Sequence, residues 1–507
     1  MNDKIQYSEI NNNSLPAGLT EIPELDYEAF YIQLSEMLRD EAMHCLAYYA
    51  VDLGGYLKFY CCVGDDENKN IRVFSHNLHK GSLQLKSLTP VISQLHIFER
   101  EIHENFGVEF TGHPWLKPVR YPNDRSDKSE IMNTYPFYGI ESEELHEVGV
   151  GPIHAGVIEP GHFRFICNGE KVLHLEIHLG YQHRGIEKLF LEKNDPVQRC
   201  VLAESISGDT PMGHELAHTQ LIESLGGLEV PDSLQIERCI ALELERLAVH
   251  IGDTAALCGD VAYQLGQAVC EGLRTAIINA TQNWCGNRFG KGLIRPGGSN
   301  YPLNETTAAD ISRVVSETGS RFREVCDLIY TLPSVLARFD DIGQITRQQG
   351  LAVGAVGMAA RSCGISRDIR KTHPFQSYRD FQIKPVLLDS GDVLARGRLR
   401  FLEAMVSVNT INSLIGNWLT KDIRPGSPVY NYKLKPGCFA ISLVEGWRGE
   451  ICHTAFTDSE GNLVHYKVKD PSFHNWLALA LAVRNQEISD FPVCNKSFNL
   501  SYCGNDL

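Results

Sequence analysis

No stretch of this 507-residue chain stays apolar for the roughly 20 residues that a membrane-spanning helix needs; the longest near-continuous runs, Leu351–Ala360 and Leu477–Val483, fall well short. Membrane contact is therefore expected to run through protein partners. Positive charge is also scarce. The 47 basic residues against 63 acidic ones leave a formal charge of -16, which argues against a nucleic-acid binder or a protein held on anionic lipid. The start, Met1–Ala17, lacks the cationic-then-apolar pattern of an export signal, so a cytoplasmic location is expected. Closely spaced cysteine pairs are missing as well. The 15 cysteines are scattered, and the only neighbours, Cys61 and Cys62, would face opposite sides of a strand. That excludes a zinc or iron–sulfur site built from local thiolate pairs, and fits reduced thiols serving as small core residues. A complete Walker loop and a G-x-S-x-G elbow are absent too.

What is present is a globular composition, 43% apolar and 22% charged, in a chain long enough for two or three domains. The patterning predicts an α+β fold: a small α/β module followed by a mainly helical core with a peripheral β element. A helix is expected over residues 27–51, strands over 57–62 and 71–76, and a helix over 90–106. Residues 121–147, charged and without periodicity, read as a linker. This divides the chain into an extension (1–26), a small domain (27–120), the linker and a large domain (148–507). The large domain opens with a hairpin, 162–166 and 171–178, around the turn Asn168-Gly169. Ile236, Ile240, Leu244, Leu247 and Ile251 form one helical stripe with Glu237, Arg238, Glu245 and Arg246 among them, and Asp232 or Ser233 is placed to cap it. Helices over 262–285, 308–330 and 392–415 suit a long-helix bundle. Strands follow over 438–445, 450–457 and 463–468.

Histidine, glycine and charge concentrate between Gly151 and His218. The segment G-P-I-H-A-G-V-I-E-P-G-H-F-R, 151–164, sets His154, Glu159 and His162 on a Gly/Pro-rich loop, which reads either as a functional loop or as a surface turn with solvated histidines. H-R-G-I-E-K, 183–188, offers His183, Arg184 and Glu187; if helical, His183 and Glu187 share a face and can relay protons, the alternative being a structural salt bridge.

The motifs carry a resemblance. E-R-E-I-H-E-N-F-G-V-E-F-T-G-H-P, 99–114, resembles the closing signature of the 30-kilodalton-type subunit of respiratory complex I. From Gly151 onward the chain is similar to the 49-kilodalton-type, quinone-pocket subunit of complex I and to its relative, the large subunit of group 4 nickel–iron hydrogenases, including the formate hydrogenlyase type. The matching stretches are the Gly151 loop, H-R-G-I-E-K, I-R-P-G-G (294–298), residues 361–370, V-E-G-W-R-G-E (444–450) and D-P-S-F-H-N-W (470–476).

In such hydrogenases four thiolates, from a C-G-x-C turn and a late C-x-x-C, hold nickel and iron. Here the first turn reads S-G-D-T, with Ser207 and Thr210 at the ligand positions. The last reads S-Y-C-G, with Ser501 and Gly504 there and Cys503 at neither, and only three residues follow. The resemblance thus implies no nickel–iron centre and no cofactor bound by this chain, although quinone stays open as a ligand. Complex I holds its quinone with a His and a Tyr whose positions here are Pro160 and His218, and His154, His162, His214 and His218 are the expected cavity lining. The former metal cavity would be lined by Ser207, Asp209, Thr210, His214 and Ser501. Glu187 falls where hydrogenases keep a proton-passing carboxylate, beside Arg184 and His183. The implied partners are a small iron–sulfur subunit of the complex I 20-kilodalton type carrying the nearest cluster, a ferredoxin-like subunit, and membrane-arm subunits including antiporter-like proteins. The chain would sit on the cytoplasmic face of the membrane. The implied function is an oxidoreductase subunit that couples redox or conformational change to ion translocation. The alternatives are a quinone-reducing, NADH dehydrogenase-like core subunit and a non-catalytic scaffold, with an active hydrogenase ranked last.

Overall fold

The computed structural model describes residues 6–13, 15–154, 158–422 and 426–507. Residues 1–5 and Ser14 of the polar start, and residues 155–157 of the Gly/Pro-rich loop, lie outside the described residues. The fold is α+β, as the pattern predicts.

Near the N-terminus, Asp26 accepts the Ala29 N–H at 2.9 Å and starts the helix Tyr27–Met37. The expected helix over 27–51 is corrected here: it ends at Met37, and Met43–Asp52 is a strand. The run Leu46–Val51 is apolar on both faces because the strand is buried on both. Cys45, Tyr48 and Ala50 pack into one core while Leu46, Ala47 and Tyr49 pack into another. Cys61 and Cys62 likewise enter different cores, as strand alternation requires. Tyr56–Asp65 pairs antiparallel with both Met43–Asp52 and Asn70–His79, and the helix His96–Phe106 ends at Gly107, whose φ of 70° is left-handed.

The segment before this module threads into both halves. Ser8–Ile10 joins Asn70–His79, whereas Ala17–Gly18 adds an edge to Cys438–Glu445. Between them the Asn12 side chain bonds His373 O and Leu443 O and accepts the Leu443 N–H.

Residues 121–147 form no long element; a short helical turn, Met132–Thr134, interrupts them. Next, His146–Val150, His162–Asn168 and Lys171–His178 make a three-stranded sheet, with Gly169 at φ 57° in the turn. Pro211–Gly226, Asp232–Asp260, Gln264–Cys285, Glu305–Ile329 and Val393–Trp418 are the long helices, and Asp232–Asp260 packs against both Gln264–Cys285 and Val393–Trp418. Its expected cap does not form: Pro231 occupies the N-cap without a side-chain bond, and Asp232 lies in the first turn. Nor is its charged side solvated. Arg238 pairs with Glu223, Arg246 donates to Glu445 O and Gly446 O, and Glu245 accepts the Met212 N–H. Cys438–Glu445, Glu450–Thr457 and Leu463–Lys469 close the chain's second large sheet.

Candidate functional site

Ser207 and Ser501, 294 residues apart, meet with hydroxyls 3.0 Å apart. Ser207 lies in the turn that enters Pro211–Gly226, whose Pro at the first helical position suits a helix start. Ser501 caps the short helix Tyr502–Asp506 by accepting the Gly504 N–H at 2.9 Å. Arg448 closes the junction. Its Nη1 and Nη2 each donate to an Asp209 carboxylate oxygen at 2.6 Å, Nη1 also reaches Thr210 Oγ1 at 3.1 Å, and Nε donates to Asn499 O. Burial would raise the Asp209 carboxyl, but Arg448 outweighs it and holds the group below its ordinary value. Gly504 has no room for a side chain, since a Cβ there would lie 2.7 Å from the Asp470 carboxyl. Arg184 ties the two turns together by donating to Ser205 O, Ile206 O and Cys503 O.

Behind this junction runs a buried chain of hydrogen bonds. His214 Nε2 lies 3.1 Å from Asp470 Oδ2 and its Nδ1 3.1 Å from His453 Nε2. His453 Nδ1 and His218 Nδ1 each lie 2.9 Å from the Tyr466 hydroxyl. Burial pushes His218 down to about 3 and His453 well below the ordinary range, so both rings are neutral. Against its burial, Asp470 is held below its ordinary value in part by His214, and the four bonds can run in one direction with every atom playing one role. His214 donates to Asp470, His453 to His214, Tyr466 to His453 and His218 to Tyr466. This leaves His218 Nε2, which has no partner among the described residues, as the acceptor at the far end. A proton taken there and passed along reverses the three bonds from His218 to His214 and leaves the His214–Asp470 bond as it was. The arrangement is thus a hydrogen-bond relay that can pass a proton between His218 and His214.

A second cluster borders a 440 Å³ cavity lined by Glu101, Arg120, His183, Glu187, His465 and Lys467, among others. Lys467 Nζ lies 2.9 Å from Glu187 Oε1 and 2.6 Å from Glu101 Oε1, and Arg120 pairs with Glu101. Burial pushes Lys467 down to about 8 against the pull of Glu187. For Glu187, 27% exposed, burial is outweighed by Lys467, Arg120 and the Val468 N–H, which hold it below its ordinary value. The group poised near neutrality is thus the lysine.

The seven side chains singled out in the sequence separate into three places. His214 and His218 sit in the relay, and His183, Arg184 and Glu187 lie around the chain's last turn. His183 and Glu187 do not share a helix face. Gly185, at φ 70°, caps the helix Ile186–Glu192 after His183, whose Nδ1 bonds Asp506 O at 2.7 Å. His154 and His162 pair instead across their own loop, with Gly161 O and Gly151 O, and line neither the 440 Å³ cavity nor the larger one of 540 Å³. The expectation of four histidines around one cavity is corrected accordingly.

Sequence reasoning missed Arg448, His453, Tyr466, Lys467 and Asp470. Arg448 and Asp470 fall inside V-E-G-W-R-G-E and D-P-S-F-H-N-W, where their charges were legible. It also took an H-E-x-x-H helix to be absent, whereas H-E-L-A-H, 214–218, has that zinc-protease spacing. Its side chains diverge here: both His214 nitrogens are taken, His218 turns to Tyr466, and Glu215 lies 3.5 Å from Arg295. Among the described residues, the one group with metal-ligand geometry is Asp340, Asp341 and Asp392, elsewhere in the chain.

Residues 28–130 match the family model described as the 30 Kd subunit of respiratory-chain NADH dehydrogenase, and residues 265–431 match that of its 49 Kd subunit. The chain thus fuses domains that match these two complex I family models in one polypeptide. The relay, Ser207 and Ser501 lie outside both matched ranges, while Glu101 and Arg120 fall in the first. Among similar proteins, Hydrogenase-4 component G of Escherichia coli (strain K12) is 25% identical over 89% of this chain and 81% of its own length. Formate hydrogenlyase subunit 5 of the same strain is 26% identical over 83% and 76%. The C/D subunit of NADH-quinone oxidoreductase from Phocaeicola vulgatus is 25% identical over 83% and 86%. The fusion is thus complex I-like and related to oxidoreductase and group 4 hydrogenase subunits. No helix among the described residues is long and apolar enough to cross a membrane.

Proposed function

We propose that the chain is a subunit of a membrane-associated, complex I-like redox complex, that it couples redox or conformational change to ion movement, and that it does so without a nickel–iron centre. The observation that carries this reading is the donor set where the Ser207 turn meets Ser501. Nickel favours soft anionic ligands. The residues there do not fit it: Ser207 and Ser501 bond each other, both oxygens of the local carboxylate, Asp209, face Arg448, and Gly504 has no space for a thiolate. Electrons would then travel through clusters in a small iron–sulfur subunit and a ferredoxin-like subunit, with antiporter-like membrane subunits carrying the ion.

This chain's own residues hold and pass protons. Lys467 and Glu187 form the exchangeable pair at the 440 Å³ cavity, and the relay from His218 to Asp470 lies next to it through Tyr466, the neighbour of Lys467 in sequence. Quinone reduction is the weaker reading, because His218 is buried and lines neither large cavity. Metal analysis of the assembled complex from nickel-supplied cells is expected to find no stoichiometric nickel, and one nickel per chain would overturn the reading. Glu187→Gln is expected to abolish coupled ion movement in inverted membrane vesicles while the complex still assembles. Undiminished transport would favour a scaffold.

A further inference from the structure

A second cavity, of 540 Å³, takes no part in this chemistry. It opens between the helix His96–Phe106, residues 114–119, the strand Lys171–His178 and the helix Ser472–Ala482, and residues 135 and 138 close one side. Its size lies within the range of small-molecule sites, and Trp115, Tyr135, Tyr138, Phe473 and Trp476 give it aromatic walls.

Arg100 enters this cavity and is only 7% exposed. Its Nε donates to Lys117 O and its Nη2 to Pro118 O, both at 2.8 Å, and the guanidinium lies over the Trp115 ring at 5.0 Å. Among the described residues no carboxylate oxygen comes within 4.0 Å of it. Glu104, one turn on along the same helix, feels the Arg100 charge, but its oxygens and those of Glu176 are bonded elsewhere. Glu104 accepts the N–H groups of Val119, Arg120 and Tyr121, and Glu176 is held by Lys117, Tyr135 and the Tyr138 N–H. Arg484 adds a second cation at the wall. His178 Nε2 and Trp476 Nε1, on residues of the same wall, also lack partners among the described residues. A buried guanidinium that makes no direct ion pair has room for a charged partner, and its planar fork suits a carboxylate.

We propose that this cavity binds a small aromatic carboxylate, with the carboxylate paired to Arg100 and the ring held by the aromatic walls. The test uses 1-naphthoate and its neutral analogue 1-naphthalenemethanol as probes, titrated into the full chain by calorimetry. Naphthoate is expected to bind about tenfold or more tightly than the alcohol, the preference a charge-assisted pair confers. Arg100→Gln is expected to erase that preference. Ala480→Phe, which fills the cavity from the helix Ser472–Ala482, is expected to abolish binding of both. Arg100 also braces two backbone carbonyls; should its variant fail to fold, the wild-type preference and the Ala480→Phe loss decide. Equal affinity for the two probes, no binding of either, or naphthoate binding unchanged in Ala480→Phe would overturn the proposal.

Discussion

Replacing Lys467 by methionine removes the cation between Glu187 and Glu101 and gives a direct measure of how far burial perturbs that lysine. The side chain is 7% exposed, and burial sets its folded pKa at about 8 against an ordinary 10.5. Between those values the unfolded chain binds the proton more tightly than the folded one, so this group makes stability rise with pH across that window. The full gap corresponds to about 3 kcal/mol, of which about 2 kcal/mol appears between pH 7 and pH 9.5. Urea denaturation of wild type and Lys467→Met at those two pH values isolates the contribution, because other titrating groups are common to both chains. Wild type should gain about 2 kcal/mol on the variant as the pH rises. At pH 7 the variant leaves Glu187 and Glu101 with Arg120 alone, a loss at the low end of the roughly 3–5 kcal/mol for a broken buried pair. Parallel pH profiles for the two chains would refute the assignment of a poised proton to Lys467.

Tyr466→Phe deletes the hydroxyl between His453 and His218 and leaves two buried ring nitrogens unpaired. It is expected to cost about 1–3 kcal/mol in denaturation experiments and to lower coupled proton movement in vesicles. Arg361, fully buried, donates to Glu403 and Glu445 and lies 3.8 Å from Asp368. Arg361→Met leaves Glu445 without an ion pair among the described residues, while Asp368 keeps Arg370 and Glu403 keeps His250, so a destabilisation of about 3 kcal/mol is expected at neutral pH. It should ease as the pH falls and the carboxylates protonate, and a loss that did not depend on pH would contradict this account.

Much of the architecture was legible in the sequence where local chemistry decides it. Asn168-Gly169 marks a turn whose second residue does take a left-handed φ, and the three late strands begin at the expected residues. Periodicity failed over residues 38–51, because a strand buried on both faces and a buried helix present the same unbroken apolar run. It also left open the surroundings of Glu237, Arg238, Glu245 and Arg246, all of which are buried, with Arg238 paired to Glu223 and Arg246 donating to Glu445 O. At the site, the meeting of Ser207 with Ser501 could be anticipated through family resemblance alone. His453 and Tyr466 come together by strand register, which no local pattern specifies. H-E-L-A-H was readable throughout, and there the spacing misleads, since the side chains diverge.

The strand Ala17–Gly18 gives the fusion a meaning beyond economy of genes. A backbone that visits the far half's sheet before building its own module stitches the halves from the front, and the two share a core as well. The covalent link through residues 121–147 is then a seam already sewn rather than a leash. It raises the local concentration of two surfaces that adhere on their own, and such an arrangement would tolerate being divided into two polypeptides at that link without coming apart.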